Sequence, residues 1–265
     1  MIDLLKKQHA IDVSMYDEIF MNKTIMQNVE KAGCRTFEEY SHILAESKKE
    51  VQKLADSFQI SYSEFFRNPL TFSVLERIIL PELIFNNRNK KSKEIRIWSA
   101  ACAGGQETYS MAILLEGFNN GNERIEYRIF GTDQDEAQIN KARIGEFDIA
   151  SIGNVTHKLE KQWFLRHGNK YAVIPELKKN IEFSAFDLFS EQNSSPPESN
   201  FGGFDIILCA NLLFYYKNEF RRIIIDKIRG ALTENGLVIT GEAEREILMN
   251  FKFKESYPHS GIFRK

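Results

Sequence analysis

Between Ile95 and Ser110 an apolar run, Ile95-Arg96-Ile97-Trp98, breaks into Ser99-Ala100-Ala101-Cys102-Ala103-Gly104-Gly105 and resumes as Gln106-Glu107-Thr108-Tyr109-Ser110. That order spells a strand, a tight turn and a helix N-terminus, the opening unit of a layered α/β fold. Around Ala101 and Gly104 there is almost no side-chain bulk, so backbone can approach a ligand closely, and the glycines can take positive φ. The helix that follows aims its unpaired N–H groups at the same place. A phosphate loop would continue with Lys-Ser or Lys-Thr, where this turn has Gln106-Glu107-Thr108, so a nucleoside triphosphate is disfavoured. Glu107 suits a ligand that carries positive charge and hydroxyls, for which S-adenosylmethionine is the candidate. On this segment alone an ordinary βα corner looks the same.

Further strand-like runs lie at Tyr127–Asp133, Ile181–Ala185, Phe204–Cys209 and Gly236–Thr240, with helical segments between several of them. Strands alternating with helices imply parallel βαβ units with right-handed crossovers, hence an open sheet covered on both faces. Such sheets bind ligands at the carboxyl ends of their strands. Before the sheet, apolar residues recur at helical spacing: Ile19, Met26 and Val29 in one segment, Phe37, Tyr40, Ile43 and Leu44 in another. Gly33 is the expected stop of the first and Thr36, with Glu39 three residues on, the expected N-cap of the second. Lys170–Pro175 followed by Lys178-Lys179-Asn180 interrupts the alternation and suggests an inserted hairpin. The polar stretch Gln192–Asn200, with Pro196-Pro197, reads as a surface loop.

With 265 residues and 43% hydrophobic content, the chain can bury a full core and has room for one large domain or a large and a small one. A formal charge of -2 with both signs interspersed argues against a nucleic acid as partner. Three cysteines, an odd number without metal-ligand spacing, fit a reduced setting with neither disulfide nor bound metal. The start, Met1-Ile2-Asp3-Leu4-Leu5-Lys6-Lys7, lacks the apolar core of a signal peptide, and no uncharged apolar run is long enough for a bilayer. A cytoplasmic protein without membrane insertion is expected.

Asp133 ends the second strand about one βα unit after the glycine turn, where a carboxylate can accept the hydroxyls of an adenosine ribose; a plain helix cap would look alike. Asp187, after Phe183-Ser184-Ala185-Phe186, could reach an adenine edge or cap a helix.

Four ordered segments carry a family resemblance. Cys209-Ala210-Asn211-Leu212-Leu213-Phe214-Tyr215-Tyr216 resembles the Cys-Arg-Asn-Val-Leu-Ile-Tyr-Phe motif of CheR-type chemotaxis receptor methyltransferases. Trp98-Ser99-Ala100-Ala101-Cys102 through Tyr109-Ser110 resembles their Trp-Ser-Ala-Ala-Cys-Ser-Thr-Gly-Glu-Glu-Pro-Tyr-Ser. Ser63-Glu64-Phe65-Phe66-Arg67 is similar to Thr-x-Phe-Phe-Arg. Asp135 through Lys141-Ala142-Arg143-Ile144-Gly145-Glu146-Phe147 is similar to Asp-x-x-x-Leu-x-x-Ala-Arg-x-Gly-x-Tyr. The resemblance spans most of the chain.

It implies an N-terminal all-helical domain over 1–60, a linker and connecting helix over 61–94, and over 95–265 a class I, Rossmann-like methyltransferase sheet. An antiparallel β-subdomain would be inserted at about 149–182. The implied reaction moves a methyl group from S-adenosylmethionine to glutamate carboxylates of a chemoreceptor cytoplasmic domain, leaving S-adenosylhomocysteine, with the enzyme a monomer. Position by position, Ser61, Ser63 and Arg67 would line the cofactor from the helical side. Glu107 and Asp133 would hold its amino-acid and ribose parts beside Ala101 and Gly104, while Asp187, Leu188, Ala210 and Asn211 would complete the pocket. Arg67 and Tyr215 would face the transferring methyl.

Three departures separate this chain from the pattern. Ala210 replaces the Arg before Asn211, removing a charge beside the adenosyl pocket. Gln106 and Thr108 replace the first acid and the proline of the turn. The family's receptor-reading helix is rich in Arg, whereas Lys23-Thr24-Ile25-Met26-Gln27-Asn28-Val29-Glu30-Lys31 is nearly neutral and offers little steering field to an acidic receptor helix. The same transfer to a different protein or small molecule, and a cofactor-binding module without turnover, therefore stand as alternatives. A nicotinamide dinucleotide is disfavoured, because the turn lacks Gly-x-Gly-x-x-Gly spacing.

Overall fold

The structure, a computed structural model, describes residues 2–9, 11–59, 62–87, 93–119, 124–199 and 203–265. It divides into two compact units: Met1–Ile60 with Leu212–Arg222, and Ser61–Asn211 with Ile223–Lys265.

The first unit is helical: α1 (Ile2–His9), α2 (Glu18–Lys31), α3 (Phe37–Glu46) and α4 (Lys48–Asp56). Asp17 caps α2 by accepting the Ile19 N–H at 3.0 Å, and Thr36 caps α3 through the Glu39 N–H. The inward face of α2 is Met21, Thr24, Ile25, Asn28 and Val29. Ile19 and Met26, one expected apolar face with Val29, instead stand 80% and 45% exposed. Asn28 tolerates burial because its amide donates to the Thr24 carbonyl at 2.8 Å and to Ser57 Oγ at 2.9 Å, so no buried donor is left without a partner. Leu212–Arg222 joins this unit through aromatic packing that sequence order does not reveal. The Tyr16 ring stacks on Phe58 and on Tyr216 at 5.2 and 5.4 Å between centroids, and the Asp17 N–H donates to the Tyr215 carbonyl at 2.8 Å.

The second unit opens with α5 (Pro69–Val74), a π-turn at Leu75–Ile79 and α6 (Leu80–Asn87). Pro81 lacks the N–H that an α-helix would need there, and widening the preceding turn accommodates its ring. Then come β1 (Ile95–Ala100), α7 (Gln106–Gly117), β2 (Tyr127–Asp133), α8 (Glu136–Ile144), β3 (Glu146–Asp148), α9 (His157–Trp163), β4 (Phe164–His167), β5 (Lys170–Val173), α10 (Pro175–Lys178) and β6 (Ile181–Ala185). The unit ends with β7 (Phe204–Leu208), α11 (Asn218–Ala231, whose first turns belong to the helical unit), β8 (Leu232–Ile239), α12 (Arg245–Asn250), β9 (Lys254–Glu255) and β10 (Ile262–Arg264).

Seven strands form one sheet in the order β6-β2-β1-β7-β8-β10-β9, parallel from β6 to β8, with β10 antiparallel to both β8 and β9. This is the expected Rossmann-like α/β architecture. In the central pairings Trp98 lies beside Phe130 on one side and Ile207 on the other. Such strands are covered on both faces and therefore read as continuous apolar runs. Helix α7 buries eight consecutive residues, Thr108–Leu115, as a helix embedded against a sheet must. The antiparallel subdomain is the three-stranded sheet β3-β5-β4. Its first strand begins at Glu146, ahead of the expected insertion, because Gly145 ends α8 in the left-handed region and turns the chain at once.

Phe183 on β6 explains two glycines. A Cβ on Gly131 would lie 2.5 Å from two carbons of its ring, and one on Gly105 would lie 2.9 Å from Ala142 Cβ and 3.1 Å from Phe183 Cζ. Gly131→Ala is expected to destabilise the fold by about 1–3 kcal/mol through overpacking. Combination with Phe183→Leu is expected to recover most of that loss, as read by thermal melting of the single and double variants.

Candidate active site

The sheet reverses its winding between β1 and β7, so the crevice at their carboxyl ends is where a ligand fits. Two short turns border it: Ala101–Gly105 after β1, and Cys209–Asn211 after β7. Both are held in left-handed backbone, with φ of 56° at Ala101, 47° at Ala103, 88° at Gly105 and 60° at Asn211; Phe66, in the segment before α5, has φ of 49°. Each non-glycine residue in that region is strained by roughly 1–3 kcal/mol and persists only where its surroundings enforce it.

The enforcing contacts are visible. The Ala103 N–H donates to Asp133 Oδ2 at 2.9 Å, and the Asp135 N–H donates to Asp133 Oδ1 at 3.0 Å. The Cys102 N–H meets the Thr132 carbonyl at 2.8 Å, while Trp98 Nε1–H donates to Thr132 Oγ1 at 2.8 Å. The Asn211 N–H donates to Glu244 Oε2 at 2.7 Å, and the Phe66 N–H to Ser110 Oγ at 3.1 Å. Gly105 starts α7 without a side-chain cap, which leaves that helix end open to a ligand.

A cavity of about 200 Å³ opens at the carboxyl ends of β7 and β8, lined by Arg67, Asn68, Glu107, Ala210, Asn211, Thr240, Gly241 and Glu242 among others. It brings together four of the residues singled out in the sequence: Arg67, Glu107, Ala210 and Asn211. Ser63, Ala101, Gly104, Asp133, Asp187 and Leu188 do not line it, and Ser61 lies outside the described residues. Asp133 is buried, with each oxygen already accepting one backbone N–H. Asp187 is exposed and accepts the Phe189 N–H at 2.8 Å, while Leu188 is buried. Gly104 packs against its own neighbour, since a Cβ there would lie 3.0 Å from Gln106 Oε1. Tyr215 belongs to the helical unit, where its ring meets Phe20 edge-on at 4.7 Å.

Burial pushes the Glu107 carboxyl up to about 7, with the Glu244 charge adding to the rise and Arg67 and the Ser99 hydroxyl opposing it. Burial also raises Asp133, against the pull of its backbone N–H partners. The Cys102 and Cys209 thiols are driven well above their ordinary range by burial and by the neighbouring acids, so neither is an activated nucleophile. Arg67 stacks its guanidinium over the Tyr62 ring at 5.2 Å and reaches the Tyr62 carbonyl at 3.4 Å.

The family description "CheR methyltransferase, SAM binding domain" matches residues 61–259. The chain belongs to the CheR methyltransferase family. The chemotaxis protein methyltransferase of Listeria innocua is 29% identical over 242 residues, which cover 91% of this chain and 87% of that one. Chemotaxis protein methyltransferase 1 of Pseudomonas aeruginosa is 27% identical over 246 residues, with 91% and 86% covered, and the Borreliella burgdorferi chemotaxis protein methyltransferase is 26% identical over 248, with 92% and 86% covered. The chain is thus an S-adenosylmethionine-dependent enzyme of the CheR family.

The residues present suit that cofactor. Glu107 faces the cavity as a carboxyl whose ionisation is resisted by burial and by the Glu244 charge, and the cofactor carries an ammonium and a sulfonium. Gln106 Oε1 is buried in the turn without a hydrogen-bond partner, an acceptor that a ligand donor can satisfy. Two residues at this crevice were missed in the sequence, Gly241, which lines the cavity, and Glu244 behind it, although Gly-x-x-Glu at a strand end before a helix is the reciprocal half of a capping box. Among the described residues no helix is long and apolar enough to cross a membrane.

Glu107 generates a prediction with two opposite signs. Because its folded-state value is raised from 4.5 to about 7, the folded chain binds the proton more tightly than the unfolded one, and stability falls as pH rises through that window. At pH ~8 the cofactor-free Glu107→Gln variant is expected to melt above the wild type in scanning calorimetry. The same variant is expected to bind S-adenosylhomocysteine more weakly in titration calorimetry.

Proposed function

We propose that this enzyme methylates glutamate side chains of chemoreceptor cytoplasmic domains, working as a cytoplasmic monomer. The observation that carries the reading is the half-buried Glu107 and Arg67 facing one cavity at the sheet switch point, in a chain of the CheR family. In this assignment Glu107 takes the cofactor's ammonium, Asp133 its ribose hydroxyls, and Asn211 with Ala210 the adenosyl side of the crevice. Ser63, Asp187 and Leu188 border the adenosine more distantly, and the small residues Ala101 and Gly104 leave it room.

When bound, S-adenosylmethionine supplies an electrophilic methyl group on a sulfonium. A glutamate acceptor, with an ordinary pKa of ~4.3, is already ionised near neutral pH and needs no general base. The protein's task is positioning, which is worth several kcal/mol when the reacting atoms are held in line. Arg67 can pair with a carboxylate through its planar fork. Tyr215 is assigned from the resemblance to steer an acceptor oxygen by hydrogen bonding.

One observation favours a different acceptor. The exposed side of α2 carries Ile19 and Met26, and its charges nearly cancel, which suits recognition by apolar contact better than by an acidic helix.

Incubation with radiolabelled S-adenosylmethionine and a panel of chemoreceptor cytoplasmic domains is expected to give base-labile methyl esters. Their absence from every receptor, with S-adenosylhomocysteine still bound, would reassign the acceptor. Arg67→Ala and Tyr215→Phe are each expected to lower kcat by about tenfold or more while changing S-adenosylhomocysteine affinity less, since both act on the acceptor side. Unchanged turnover in both variants would remove these roles.

A further inference from the structure

Glu244 is fully buried, and one of its oxygens collects three donors. Oε2 accepts the Asn211 N–H at 2.7 Å and the Gly241 N–H at 3.0 Å, and lies 2.8 Å from Thr240 Oγ1, whose single proton it shares with the Cys209 carbonyl at 3.1 Å. The contact to Asn211 joins positions 33 residues apart and fixes the only backbone donor of a residue held at φ 60°. Gly241 completes the arrangement: a Cβ there would lie 2.9 Å from Asn211 Oδ1, 3.0 Å from Asn211 Cγ and 3.0 Å from Glu244 Oε2. Its φ is -67°, so glycine is required here for space and not for backbone freedom. Asn211 and Gly241 both line the cavity, and Glu244 stands behind them.

We infer that Glu244 is a positioning residue of the cofactor site, which locks the turn after β7 so that Asn211 faces the crevice, with Gly241 as the seat for the Asn211 side chain. The inference rests on the assignment of that crevice to S-adenosylmethionine. Glu244 has a second effect through Glu107, whose titratable and charged neighbours are Glu244, Arg67, the buried thiols of Cys102 and Cys209, and, across the same cavity, Glu242. As the one carboxylate among them that raises Glu107, it resists the ionisation that a cationic ligand requires.

Titration calorimetry of the full chain with S-adenosylhomocysteine, from about pH 6 to about pH 8.5, separates these roles. Glu244→Gln keeps an acceptor oxygen and removes the charge. At the alkaline end it is expected to bind within about threefold of the wild type, and its loss of affinity on acidification is expected to set in at lower pH. Glu244→Ala removes the acceptor and is expected to bind about tenfold more weakly or worse at every pH. Gly241→Ala, which fills the seat without disturbing a buried charge, is expected to do the same, and it stands in should Glu244→Ala fail to fold. A generally structural role would lower the melting temperature without moving the pH midpoint of Glu244→Gln. Wild-type affinity in Gly241→Ala, or an unmoved midpoint in Glu244→Gln, overturns the proposal while leaving the cofactor assignment intact. No binding by the wild type overturns that assignment and the proposal with it.

Discussion

The hydrogen bond from the Ala103 N–H to Asp133 Oδ2 is the contact on which the geometry of the site depends. Strands β1 and β2 run in register from Ile95 beside Tyr127 to Ala100 beside Thr132, so the chain leaving β1 must turn within a few residues beneath the end of its neighbour. Ala101 and Ala103 manage this in a backbone region that alanine seldom occupies. A carboxylate at position 133 can answer two N–H groups at once, that of Ala103 and that of Asp135, and so fixes both the turn into α7 and the approach to α8. The open end of α7, with Glu107 on its first turn, takes its position from that clamp. The burial that makes the clamp stiff also raises the Asp133 carboxyl, against the pull of its backbone partners and with the Asp135 charge adding to the rise.

Local features were legible in the sequence because their causes are local. The apolar runs of the parallel strands, the small-residue turn, the acid closing β2 and the cap at Thr36 each follow from a few consecutive residues. What sequence could not show depends on contacts distant along the chain. The small-residue turn had two causes: the left-handed backbone was anticipated, but the missing Cβ at Gly105, like that at Gly131 on β2, makes room for the Phe183 ring. The partner of Asn211 lies 33 residues on, and neither residue alone announces it. Periodicity likewise permitted two apolar faces on α2, and burial of Asn28 through its own hydrogen bonds placed Ile19 and Met26 outside.

Strain and charge converge on the same crevice. Among the described residues, four of the six non-glycine positions with positive φ, namely Phe66, Ala101, Ala103 and Asn211, border it or its turns. Three of their N–H groups end on side-chain oxygens: Phe66 on Ser110, Ala103 on Asp133, Asn211 on Glu244. Such conformations persist because the surrounding framework over-determines them, and they are found where a fold must present backbone to a ligand. In a loop without those partners the same alanines would relax.

The acids supply the complementary half of the argument. Glu107 and Glu242 line the cavity with Arg67, and Glu244 stands behind them, so the crevice is short of positive charge before a ligand enters. Low dielectric makes that shortage costly and, for the same reason, makes a cation arriving there strongly attracted. A site whose carboxyl is half-protonated near pH 7 binds a cationic ligand with uptake of charge balance and release of a proton, so affinity and protonation are linked. The feature that destabilises the cofactor-free fold is therefore the one that selects an ammonium-bearing ligand, and replacing it by a neutral side chain would trade selectivity for stability.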